Sequence, residues 1–275
     1  MLARLRHRRL WAALALFLSL ILLAGVGIYA WLLAGLPPLD DPQHPRGAGL
    51  YGYAAAPSSK VYDRHGRLLF EMPPPYTGRH SPVPLDVIPA GLLQATVATA
   101  DARIYEHPGV DVRAILRSAW LNLRYGRIVS GASTITQQLA RNLMMAPEER
   151  YAQTMTRKLR EAILAWQITR RYTKDEILAL YLNEIDYGNL SYGVEAAAQT
   201  YFGKHARDLD LAECAMLAGL PQSPPLHNPF ENLKSAKARQ AVVLDLMVEQ
   251  GYLTADEAQR AKAEKLYFGS AEFDI

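Results

Sequence analysis

The chain has 275 residues, half of them hydrophobic and 21% charged, with a net charge of +3 and one cysteine. That composition supports a packed core, in one large domain or two small ones, and excludes an internal disulfide. Four arginines fall in the first ten residues, and the rest of the chain holds 26 basic against 27 acidic residues, so a general nucleic-acid footprint is excluded.

The arginines at positions 4, 6, 8 and 9 precede an uncharged run, "WAALALFLSLILLAGVGIYAWLL", over residues 11–33. It is long enough to cross a bilayer, and Trp11, Tyr29 and Trp31 sit near its ends, where amphipathic rings favour the interface. A cleaved signal peptide would have an apolar core of only about 7–15 residues, so an uncleaved anchor is expected. The basic flank places residues 1–10 in the cytoplasm and the body outside.

Residues 34–59 are rich in Pro, Gly and Ala and read as a linker. "KVYDRHGRLLFE" alternates about His65-Gly66, as a short hairpin does. A second linker, "MPPPYTGRHSPVP", follows, and from Pro89 the pattern is helical almost to the end. Pro89 and Pro147 suit first-turn positions. Thr173 with Glu176, Asp210 with Glu213, and Thr254 with Glu257 have capping-box spacing. "ALYLN" is apolar nearly all round and predicts a buried helix. Cys214 lies in another apolar helical run, as an inert buried thiol would.

Four stretches carry chemistry. "TVATADARIYEHPGVD" gathers Asp101, Arg103, Tyr105, Glu106 and His107 at a helix end, directly after Ala100. "SGASTITQQLARNL" places Thr134, Gln137, Gln138 and Arg141 on one helical face, with Ile135, Leu139 and Leu143 opposite. A face of hydroxyls, amides and a guanidinium suits a ligand rich in hydroxyls, amides and phosphates; the alternative is a plain solvated face. "RKLREAILAW" puts Arg157 and Lys158 within one turn of Glu161, either as a phosphate-binding cluster holding an ionised carboxylate or as a surface ion-pair group. In residues 113–128, Arg113, Arg117 and Arg124 form one helical stripe, with Ile115, Leu116, Trp120, Leu121 and Leu123 elsewhere. That helix either lies in the membrane interface or docks on the protein's own core.

With "ADARIYEHPGVD", "GASTITQQLARNL", "RKLRE", "YLNEIDYGNLSYGVEAAAQTYFGK" and "LAECAMLAGLPQSPPLHNP" in this order, the chain resembles the family 51 peptidoglycan glycosyltransferases. These occur alone or as the first domain of class A penicillin-binding proteins. The resemblance implies a mainly α, lysozyme-like, two-lobed domain over residues 60–251, behind one transmembrane helix in the bacterial cytoplasmic membrane. Residues 252–275 would be a helical extension or the start of a linker, since no transpeptidase signature follows and the chain is either a one-domain protein or a truncated one. The implied activity is polymerisation of lipid II onto a growing glycan strand, with the membrane and other cell-wall synthesis proteins as partners. A divalent ion, Mg or Mn, is an admissible cofactor; no organic cofactor is implied.

The family's first block normally reads Glu-Asp-x-x-Phe, its glutamate serving as general base. Here Ala100 takes that position and Ile104 replaces the phenylalanine. Asp101 is a poor substitute, because one helical step turns a side chain by about 100°. The resemblance assigns Glu161 to the catalytic machinery. It assigns Asp101, His107, Ser133, Thr134, Thr136, Gln137, Gln138, Arg141, Arg157, Lys158 and Asn183 to substrate binding. Three readings follow: an impaired transferase, a non-catalytic lipid II-binding module of the same fold, and a lysozyme-like hydrolase. The cationic cluster would have no purpose in the third.

Overall fold

The computed structural model describes residues 2–34, 36, 39, 50, 54, 56–73, 78–127 and 131–269. Most of the 34–59 linker, part of the second linker, Ile128 and residues 270–275 lie outside the described residues. Twelve α-helices and four short strands are found among those described, so the protein is mainly α.

Helix α1 (Leu2–Leu33) is apolar from Leu14 to Leu33, with a mean hydropathy of 2.4 and almost none of that stretch buried. Its C-terminal end is tied to the body through the Gln167 amide, which donates to the Tyr29 hydroxyl at 3.0 Å, and through Arg160, which donates to the Ala34 carbonyl at 3.1 Å.

The expected hairpin is present as β1 (Ser59–Tyr62) and β2 (Leu68–Met72), antiparallel, with Val61 opposite Phe70. Asp63 closes its turn by accepting the His65 and Arg67 N–H groups at 2.8 Å each, and Gly66 supplies a φ of +80°. Strand β3 (Arg79–His80) pairs in parallel with the distant β4 (Ser191–Tyr192).

Helix α2 (Ala90–Ala100) follows, with Pro89 at its N-cap rather than in its first turn. Next come α3 (Val112–Tyr125), α4 (Ile135–Met144), α5 (Pro147–Arg150), α6 (Met155–Thr169) and α7 (Lys174–Glu184). The last five are α8 (Val194–Phe202), α9 (Leu211–Gly219), α10 (Pro224–His227), α11 (Leu233–Glu249) and α12 (Ala255–Ala263). Pro147 stands in the first turn of α5, and all three predicted capping boxes close.

Two helix groups share one core: α2 against α9 and α11, and α4 against α6 and α7. Helix α7 is largely buried from Ile177 to Glu184, where its apolar run enters the core. Cys214 is inside the core, where burial pushes its thiol up to about 12. Helix α3 is the exception to this packing. Only Ala114 and Ser118 are buried, while Leu116, Trp120 and Leu123 are exposed, so it does not dock on the core.

His80 locks the entry segment onto α7. The ring is 1% exposed. Its Nε2 lies 2.9 Å from the Asn183 carbonyl and 3.1 Å from Glu184 Oε1, and its Nδ1 lies 3.3 Å from the Ala56 carbonyl. Both nitrogens face oxygens, an arrangement that favours the doubly protonated ring. Burial opposes that charge, but the Glu184 carboxylate and the two carbonyls outweigh it and raise the pKa above 6.5. A raised folded value contributes stability that is present below the unfolded pKa and lost as pH rises through the folded one. His80→Ala should therefore destabilise the protein by about 1–3 kcal/mol at pH 6, because it removes a buried ring that bonds the Asn183 and Ala56 carbonyls and pairs with Glu184. In thermal unfolding of the full chain, the gap from the parent should narrow as pH rises.

Candidate active site

The C-terminal end of α2 delivers Ala100 and Asp101 to a cleft of about 440 Å³. Its walls are the 101–106 turn, the start of α3, residues 131–134 and the last turn of α11. Ala100 lies at its edge with its methyl group half-buried against the core.

Asp101 staples the turn after α2 to the start of α4. It is buried; its Oδ1 accepts from His107 Nε2 at 2.9 Å, and its Oδ2 accepts the Ile135 N–H at 3.1 Å, at the first turn of α4. His107 is used up as well: its Nδ1 accepts the Gly109 N–H at 3.2 Å. Gly109 has a φ of +95°, and a Cβ there would lie 2.4 Å from the Ala165 carbonyl, so only glycine lets this loop rest on α6. Asp111 caps α3 and pairs with Arg103. Burial works against its charge, but the Ala114 N–H and the guanidinium prevail and hold its carboxyl below the usual range.

The polar face of α4 also turns inward. Thr134 and Gln137 form a capping box, and the Thr134 hydroxyl donates to the Gly109 carbonyl at 2.6 Å. Both are buried, so their polar atoms hold α4 in place instead of meeting a ligand. Thr136 is fully buried on the core side. Gln138 accepts from the Tyr181 hydroxyl at 3.1 Å. Asn183 clamps Val83, accepting its N–H and donating to its carbonyl at 2.9 Å each, and also donates to Ala179. Thr134, Gln137, Gln138, Asn183, Asp101 and His107 thus already have hydrogen-bond partners within the chain, on backbone and side chains. The buried Thr136 hydroxyl has no hydrogen-bond partner among the described residues.

The remaining predicted residues do come together. Glu161 is fully buried; its Oε1 accepts from Arg157 and lies 3.9 Å from Arg141, while its Oε2 accepts from Lys158 at 2.9 Å. Lys158 also donates to Ser133 Oγ at 2.8 Å, and Ser133 lines the cleft. One carboxylate thus anchors three cations. Arg141 and Lys158 remain partly exposed, with side-chain exposures of 28% and 39%. The surplus positive charge suits an anion with several oxygens.

Asp101, His107 and Asp111 bring candidate metal donors within 4.8 Å of one another. Both Asp101 oxygens, both His107 nitrogens and Asp111 Oδ1 are already hydrogen-bonded, so this set does not fit a resident divalent ion.

A family model described as "Transglycosylase" matches residues 65–248. The chain belongs to the transglycosylase family. This transglycosylase is 41% identical over 244 residues to penicillin-binding protein 1A of Aquifex aeolicus, covering 89% of this chain and 32% of that protein. It is 42% identical over 253 residues to penicillin-binding protein 1A of Escherichia coli K12, covering 92% and 28%. The crystal structure of penicillin-binding protein 1A from Haemophilus influenzae is similar at 27% identity and a TM-score of 0.46, covering 80% of this chain and 22% of that one. The transglycosylase spans less than a third of the length of these curated relatives.

Sequence reasoning missed the pairing of Arg103 with Asp111 and the Lys174 ammonium, which donates to the His107 carbonyl at 2.8 Å. The only sequence signal was Asp111 standing just before a helix. If Asp101 is a staple, Asp101→Ala should lower unfolding stability by about 2–3 kcal/mol, since a buried N–H and a histidine lose their acceptor. Binding of a lipid-linked pyrophosphate analogue should stay within threefold at temperatures where the variant is folded. Full stability with abolished binding would make Asp101 a ligand contact.

Proposed function

We propose that the chain is a membrane-anchored peptidoglycan glycosyltransferase that binds lipid II and extends a glycan strand, with turnover limited by Ala100. The observation that carries this reading is the buried Glu161 with its three cations, joined through Lys158 and Ser133 to the cleft at Ala100.

Transfer requires the 4-hydroxyl of the acceptor sugar to attack the anomeric carbon of the donor while pyrophosphate departs. Lys158 and Arg141 are placed to meet the charge that develops on the leaving oxygens, and Arg157 with Glu161 holds them there. The acceptor proton needs a carboxylate where the family has glutamate, and Ala100 offers none. General base catalysis is worth about 10²–10⁴-fold, equivalent to roughly 3–5 kcal/mol of barrier. The loss falls on the chemical step and spares donor binding.

The anchor and α3 suit a lipid-linked substrate. With its N-terminus in the cytoplasm, the body faces outward. Exposed Leu116, Trp120 and Leu123 on α3, with Arg124 over the Trp120 ring at 5.2 Å, suit the bilayer interface. Ala100 itself favours one second reading, a lipid II-binding module without turnover.

Both readings are tested by polymerisation of labelled lipid II by the full chain beside Ala100→Glu. The variant should turn over about 10²–10⁴-fold faster with little change in binding. Equal rates would show that the missing side chain is not the limiting base. Parent binding with no turnover, restored by the variant, would favour the binding module.

A further inference from the structure

Four carboxylates line the cleft at Ala100: Asp101, Glu106, Asp111 and Glu249. Asp101 is fully engaged by His107 and the Ile135 N–H, and Asp111 is held by Arg103 and the Ala114 N–H. Both Asp101 oxygens are taken by buried structural bonds, and Asp111 is paired with the Arg103 guanidinium, which holds its carboxyl below the usual range and makes it a poor proton acceptor. Glu106 and Glu249 are exposed, and neither carboxylate takes part in a hydrogen bond or ion pair among the described residues.

The two differ in how they are held. Glu249 is the last residue of α11, on a different wall of the cleft from Ala100. Glu106 stands in the turn that begins immediately after Ala100, and that turn is fixed on both sides. On one side, Ile104 is fully buried and donates its N–H to the Asp101 carbonyl at 3.0 Å, while the Tyr105 hydroxyl donates to Asp175 at 3.1 Å. On the other, the His107 ring is bound to Asp101 and its carbonyl to Lys174. The Glu106 N–H itself donates to the Arg103 carbonyl at 2.9 Å. A fixed backbone carrying an unengaged carboxylate, on a residue that lines the cleft, can position a proton acceptor.

We infer that Glu106 accepts the acceptor-sugar proton in the turnover this chain retains, standing in for the side chain Ala100 lacks. The inference rests on the glycosyltransferase reading above. In the step, the 4-hydroxyl oxygen forms a bond to the donor anomeric carbon. The bond from that carbon to pyrophosphate breaks, its electron pair leaves on the phosphate oxygen, and the hydroxyl proton passes to the Glu106 carboxylate.

The test is polymerisation of labelled lipid II by the full chain, with Glu106→Gln, Glu249→Gln, Ala100→Glu and the double variant Ala100→Glu/Glu106→Gln. Glu106→Gln is isosteric at an exposed position, and its thermal midpoint should match the parent's. It should cut residual turnover at least tenfold, while Glu249→Gln stays within twofold. In the Ala100→Glu background, the same Glu106→Gln change should cost less than threefold, because a base then stands at position 100. Unchanged turnover in Glu106→Gln, or an equal loss in both backgrounds, overturns the assignment. A parent with no turnover at all also overturns it. In that case an active Ala100→Glu leaves the glycosyltransferase reading standing, and an inactive one removes it too.

Discussion

The buried carboxylate of Glu161 is the constraint around which the site is built. An isolated charge removed from water is tolerated only when paired and hydrogen-bonded. Glu161 meets that demand with Arg157 and Lys158 from its own helix and Arg141 from α4. Satisfying one carboxylate therefore fixes how α4 lies on α6. It also concentrates three cations in one place, two of them still reachable by solvent. Their mutual repulsion is tolerated because the carboxylate lies among them, and what remains is a net positive surface beside Ser133. An anion binding there would complete a charge balance that the protein leaves open.

The chemistry that follows divides between two places that carry different risks. In the proposed transfer, the cationic cluster serves ground-state binding and is bound up with helix packing. Position 100 would serve proton transfer and is attached to little else. Alanine is an excellent helix former, and Ala100 ends α2 without disturbing the Asp101 staple beside it. A base can be lost here without loss of fold, which is why the cleft keeps its shape around a residue that can accept nothing.

Local order was legible in the sequence. The hairpin turn at Asp63 to Gly66, the three Thr or Asp capping boxes and the Arg157, Lys158 and Glu161 cluster all depend on residues three or four apart, where spacing alone sets proximity. Other contacts depend on distant partners. Thr134 gives its hydroxyl to Gly109, which arrives from the preceding loop. Asn183 finds Val83 a hundred residues away in sequence, and His80 finds the end of α7. Polar residues on one helical face signal that something polar faces them, but the pattern does not distinguish a ligand from the protein's own backbone. Helix α3 shows the converse: its apolar residues remain outside, and its sequence left that alternative open.

The central claim is that Glu161 organises the cations rather than merely diluting their charge. Replacing Glu161 by Gln and titrating the full chain with a lipid-linked pyrophosphate analogue separates the two possibilities. Simple charge counting says that removing a negative group should tighten binding of an anion. If Glu161 is the organiser, affinity should instead fall at least tenfold, because Arg141, Arg157 and Lys158 lose the group that holds them. Affinity that is unchanged or increased in a folded Glu161→Gln variant would contradict the account.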